Sequence, residues 1–95
     1  MIIEHAEFRV KSGASDAFEA AFEQVRALLL EADGCLRADL LRSVDVIDTF
    51  LLRVEWERLE DHTEVFASTA ASRRLAAAIA PHCDGPPRVM HFFAQ

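Results

Sequence analysis

The chain has 95 residues, of which 52% are hydrophobic and 27% charged, and a formal net charge of −6 at neutral pH. That length supports one domain, residues 1–95, with a modest core that self-association would stabilise further, and the composition leaves little room for disorder. The acidic balance excludes nucleic acid and an anionic membrane surface as expected partners, because both need a basic patch to displace counterions and the basic residues here are scattered apart from Arg73-Arg74.

At the amino terminus, Glu4 stands where a signal peptide needs a basic and then an apolar stretch, and Leu28-Leu29-Leu30 is far short of a membrane span. Cys35 and Cys83 are too few and too far apart for a paired metal motif. A cytoplasmic protein with free thiols is the expectation. From Ile2 to Val10 the pattern alternates. Ile2, Ala6, Phe8 and Val10 form one face and His5, Glu7 and Arg9 the other, which predicts a half-buried strand despite Glu4. Ser15 is placed to cap a helix running to about Asp33, with Asp16 and Glu19 in its first turn and Gly34 as its stop. Phe18, Ala21, Phe22, Val25 and Leu29 share its apolar face, whereas Leu30 falls on the polar side as a candidate contact for a second subunit.

A second alternating run, Cys35 to Ser43, sets Leu36, Ala38 and Leu40 against Arg37 and Asp39. The next strand turns Phe50, Leu52, Val54 and Trp56 inward and Arg53, Glu55 and Glu57 outward. Near Leu59 a second helix is expected to begin, with His62 and Phe66 joining Leu59 on one side and Glu60, Asp61 and Glu64 on the other. A bend at Ser68, Thr69 and Ser72 precedes a last helical stretch through Leu75 and Ile79, which Pro81 stops. Gly85-Pro86-Pro87 makes a turn and Arg88 to Phe93 a closing strand. The order βαββαβ predicts an α+β, ferredoxin-like fold: a four-stranded antiparallel sheet with both helices on one face. Its other face would carry His5, Glu7, Arg9, Arg37, Asp39, Arg53 and Glu55, charges of both signs that water or a twin subunit could satisfy.

Several stretches together resemble the antibiotic biosynthesis monooxygenase (ABM) superfamily: Arg53-Val54-Glu55-Trp56-Glu57, then Leu59-Glu60-Asp61-His62, the Ser68 region, Pro81, and Arg88-Val89-Met90-His91-Phe92. Val10-Lys11-Ser12-Gly13 and Gly34-Cys35 match the placing of that family's first turn and its glycine after the first helix. The resemblance covers nearly the whole chain. It implies a homodimeric α/β barrel with a ligand pocket between sheet and helices in each subunit. It also implies a reaction of a planar aromatic or polyketide-like molecule with molecular oxygen and no bound cofactor, as in the cofactor-free branch. There the strand tryptophan, matched by Trp56, lines the pocket; His62 stands where that branch has a tyrosine and Leu52 where it has an asparagine. In the haem-degrading branch an iron ligand falls in the region of Phe66 and an asparagine near Ala6, so this chain departs from that chemistry.

Trp56 and His62 are therefore the candidate catalytic residues, and Trp56, Phe66, Leu52 and Phe8 the candidate substrate-binding ones. Trp56 is the only tryptophan in a chain without tyrosine, and a large aromatic in that place also serves simply as core. An imidazole titrating near neutrality suits a general base that takes a phenolic proton. His5 and His91, on strands expected to be neighbours, could share a metal or an interface, and Arg73 or Arg74 could hold an anion at a pocket mouth. The alternatives are a non-catalytic module that binds a small ligand on the same fold, or a different enzyme using the same pocket.

Overall fold

A computed structural model describes residues 1–95. The first strand, β1 (Ile2–Arg9), leads to α1 (Ser15–Leu30), then β2 (Cys35–Arg42) and β3 (Thr49–Trp56). A π-helical turn, Asp61–Val65, and a 3-10 turn, Phe66–Ser68, come before α2 (Ala70–Ile79), the short turn Ala80–His82, and β4 (Arg88–Phe93). The strands form one antiparallel sheet in the order β2-β3-β1-β4, the ferredoxin-like arrangement. The two central strands are therefore the first and third in sequence, and each crossover carries a helix.

Alternation explains which face the helices cover. Ile2, Ala6 and Phe8 of β1 and Phe50, Leu52, Val54 and Trp56 of β3 are all buried, in one cluster with Phe18, Phe22 and Leu29 of α1 and Leu75 and Ile79 of α2. Each large side chain so buried contributes about 1.5–3 kcal/mol. The same parity puts Glu4 on this inner face, where only 6% of it is exposed. Because β1 is paired on both sides, Ile3 on its opposite face is buried too.

Four expectations are corrected. Ser15 does not cap α1: Ala14 holds that position, and the Ser15 hydroxyl donates instead to Asp48 Oδ1 at 2.5 Å. Asp48, at φ 55°, also accepts from the Gly13 N–H, tying the β2–β3 loop to the start of α1. Ser15→Ala is accordingly expected to cost about 1.5 kcal/mol, the worth of a hydrogen bond to a charged acceptor, measured by chemical denaturation. Second, α1 ends at Leu30 rather than Asp33, since Ala32 N–H already bonds Leu29 O in a tighter turn and Gly34, at φ 80°, reverses the chain. Third, Leu36 is the extra residue of a bulge between Cys35 and Arg37, which leaves it 52% exposed instead of inward beside Ala38.

The fourth concerns the second helical region. It is three pieces rather than a helix from Leu59; Leu59 is exposed, and Asp61, expected outside, is buried. Asp61 accepts from the backbone N–H of Arg58 at 3.1 Å and from its guanidinium at 3.2 Å, which satisfies the carboxylate locally. The expected bend falls at Thr69, whose hydroxyl oxygen accepts from the Ser72 N–H and caps α2.

Candidate functional site

Between the inner face of β1 and β3 and the helix α2 lies a cavity of about 510 Å³. Ala6, Phe8 and Leu52 form its sheet side, and Phe66, Leu75 and Ile79 its helical side. Val89 of β4 and the Pro86-Pro87 turn complete the wall. The space is overwhelmingly apolar, and its charged or ionisable edge is narrow: Glu4, His62 and Cys83. A concave apolar pocket with a few convergent polar groups is the ordinary form of a small-molecule site.

The polar edge is assembled by strand register. In the β1–β4 pair Glu4 lies directly opposite His91, and Trp56 projects from β3 on the same inner face. Trp56 Nε1–H donates to Glu4 Oε1 at 2.9 Å. The Asp61–Val65 turn carries His62 over this group, its ring stacked on Trp56 with centroids 5.3 Å apart and planes 16° from parallel. His62 Nδ1 meets His91 Nε2 at 2.9 Å, and His62 Nε2 lies 3.5 Å from Glu4 Oε1. What holds the turn in place is a close approach below it, where Gly34 packs directly on the Asp61 side chain and Glu57 N–H bonds Gly34 O.

Burial sets the charges. It pushes the Glu4 carboxyl above its ordinary range, against the Trp56 hydrogen bond and the attraction of His91, which both pull it down. Burial likewise pushes the His62 imidazole below its ordinary value. Although His62 and Glu4 are close enough for an ion pair, burial disfavours the charged form of each. The tautomer that suits an ionised Glu4 has His62 Nε2–H facing Glu4 Oε1 and His62 Nδ1 accepting from His91 Nε2–H. Burial also raises the Cys83 thiol and keeps it protonated, its Sγ 3.3 Å from Ile79 O.

The residues singled out from sequence separate into two groups. Phe8, Leu52, Phe66 and His62 line the cavity. Trp56 does not: it is fully buried behind Glu4 and His62, and its indole N–H serves Glu4. His62 is a wall residue, yet both its nitrogens point at protein groups, which departs from a free general base. His5 and His91 do not converge either; His5 faces outward against Phe92, with ring centroids 5.0 Å apart. Arg73 and Arg74 stand off the cavity wall, leaving no cation there for an anion. The sequence reading takes Glu4 only as an interruption of its strand and His91 only as a neighbour of His5, though a carboxylate at an inward position of an otherwise apolar strand face is itself the sign of a satisfied buried charge.

The outward face differs from its expected description too. Arg37 pairs with Asp39 at 2.7 Å and Arg53 with Glu55 at 2.6 Å, so these charges are already matched within the chain. Beside them Leu41, Met90 and Phe92 remain between 42% and 49% exposed.

Comparison with known proteins agrees with this architecture. The family described as antibiotic biosynthesis monooxygenase, ABM, matches residues 1–78. The uncharacterized protein YczJ of Bacillus subtilis (strain 168) is 33% identical over 92 residues, which are 97% of each chain. A crystal structure from Bordetella bronchiseptica, provisionally named an antibiotic biosynthesis monooxygenase, superposes with a TM-score of 0.95 at 30% identity over 99% of this chain and 96% of that one. One of the same provisional name from Nitrosomonas europaea shares the fold, with a TM-score of 0.84 at 20% identity over 99% and 98% of the two chains. Sheet order, helix placement and sequence lead to one assignment: this chain belongs to the antibiotic biosynthesis monooxygenase family.

Proposed function

We propose that the protein is a cofactor-independent monooxygenase that oxidises a small planar aromatic or polyketide-like molecule in the cavity above β1 and β3. The observation that carries this reading is the pairing of a large apolar cavity with a single buried carboxylate–imidazole edge, Glu4 and His62. Apolar walls take a flat ring system and exclude water. The polar edge takes a proton. Removal of that proton leaves an electron-rich carbanion or enolate that molecular oxygen can oxidise directly. For a ring methylene the balance closes without a reductant: CH₂ and O₂ give C=O and H₂O.

The same reading makes the protein a cytoplasmic homodimer, joined through the outward sheet face, where Leu41, Met90 and Phe92 are exposed. No helix is long and apolar enough to cross a membrane, and both cysteines are free.

Oxygen uptake measured with a panel of phenols and anthrones tests the activity. At least one member is expected to drive uptake that falls by about 10²-fold or more in His62→Ala, the usual worth of acid–base catalysis, because the Glu4–His62 edge is broken, and is unchanged in Arg73→Ala. Uptake with none of them contradicts an oxygenase and favours the second reading, a non-catalytic ligand-binding module. That reading draws on one observation: His62 Nδ1 is hydrogen-bonded to His91 and Nε2 faces Glu4 at 3.5 Å.

A further inference from the structure

Glu4 has two oxygens and the protein uses only one. Oε1 accepts from Trp56 and faces His62 Nε2, whereas Oε2 has no protein donor. No fully occluded polar side-chain atom in the molecule lacks a partner, and Glu4 is a lining residue, so Oε2 opens on the cavity. His62, by contrast, offers no acceptor: Nδ1 meets His91, and Nε2, 3.5 Å from Glu4 Oε1, carries the hydrogen in the tautomer that suits a carboxylate. The free acceptor on the wall is therefore the carboxylate.

From this geometry we propose that Glu4, through Oε2, is the residue that receives a proton from the occupant of the cavity and selects what enters it. The occupant is a neutral planar molecule with an acidic O–H, a phenol or an enol, and an anionic carboxylate of the same shape is rejected. The proposal rests on the cavity being the ligand site, as in the oxygenase reading. In the transfer the O–H bond of the ligand breaks, its electron pair stays on the ligand oxygen, and the proton joins Oε2. Trp56, His62 and His91 act as positioning residues. Trp56 holds Oε1, and His91 Nε2–H, by donating to His62 Nδ1, directs the His62 Nε2–H toward Glu4, keeping the carboxylate in its acceptor form.

The groups around Glu4 leave no competing cation in the cavity. From β3 it meets the Trp56 indole, from β4 His91, and from the Asp61–Val65 turn His62. Cys35 on β2 is near enough to feel its charge, which adds to burial in raising that thiol. The helices present apolar Leu29, Leu75 and Ile79. A second negative charge on a ligand would thus meet an unpaired carboxylate in a low-dielectric space, which is strongly unfavourable.

The test is a pair of isosteric probes, 2-naphthol and 2-naphthoate, titrated without oxygen and followed by the fluorescence of the single tryptophan, Trp56, and by calorimetry. At neutral pH the naphthol is expected to bind at least tenfold more tightly than the naphthoate. Glu4→Gln keeps an acceptor oxygen for Trp56 but removes the charge; it is expected to abolish that preference, and Glu4→Ala serves as a second variant should the amide not fold. His91→Ala is expected to shift the pH at which naphthol binding sets in, with native circular dichroism, whereas a merely structural histidine would leave that profile in place. Equal binding of both probes, or a preference unchanged in the Glu4 variants, overturns the proposal. Selective binding without any oxygen uptake upholds Glu4 as the acceptor while the oxygenase reading fails.

Discussion

Trp56→Phe is expected to lower the free energy of unfolding by about 3 kcal/mol and the midpoint of thermal unfolding by about 12–24 °C. Two losses add. The smaller ring leaves a void in a fully buried position, and the Glu4 carboxylate loses the donor 2.9 Å away that makes its burial tolerable. Against a total stability of about 5–15 kcal/mol for a domain of this kind, that is a large share. The cost has a pH signature. Trp56 pulls the Glu4 carboxyl down toward its ordinary range, so its removal raises that carboxyl further in the folded state. A carboxyl raised on folding contributes stability below its unfolded value and loses it as pH rises through the folded value. The penalty of Trp56→Phe is therefore greatest at neutral pH and shrinks as pH falls below the ordinary carboxylate range. Denaturant titrations of both proteins from acid to neutral pH measure it.

Gly34→Ala is expected to cost about 3 kcal/mol or more and to weaken ligand binding as well. A methyl there meets the Asp61 side chain well inside contact distance, at a backbone φ of 80° that already disfavours a side chain. Asp61 is buried and held by two bonds to Arg58, so it cannot swing away without losing them. The strain falls on the turn that presents His62. Gly13→Ala is the control: φ is 77° but nothing lies within 4 Å, so only the backbone penalty of about 1–2 kcal/mol is expected. Stability by denaturation and binding by Trp56 fluorescence, measured on both variants, separate the collision from the backbone effect.

Alternation and glycine placement make most of the sheet legible in the sequence. The run from Phe50 to Trp56 has a period of two because one side packs on helices, and its inward set is buried as expected. The same rule, applied strictly to β1, places Glu4 inward, where it forms part of the polar edge of the cavity. Period-based reading failed between Leu59 and Ser68 because two turns of different width interrupt the helical phase, so that Asp61 points in and Leu59 out. His62 and Phe66 nevertheless reach the cavity, each from its own turn. The part Trp56 plays was illegible for another reason. Whether an indole lines a cavity or stands behind it depends on the side chain in front, here Glu4, fifty-two positions away in sequence.

The most direct test of the cavity and its Glu4 edge as the ligand site is an isotope-filtered nuclear Overhauser experiment on the labelled protein with anthrone bound in the absence of oxygen. Contacts from the ligand ring to Leu52, Phe66, Leu75 and Val89, with none to Leu41 or Phe92 on the outward face, are the expected result. Ligand contacts confined to the outward face, or no contact with the residues above β1 and β3, would contradict it.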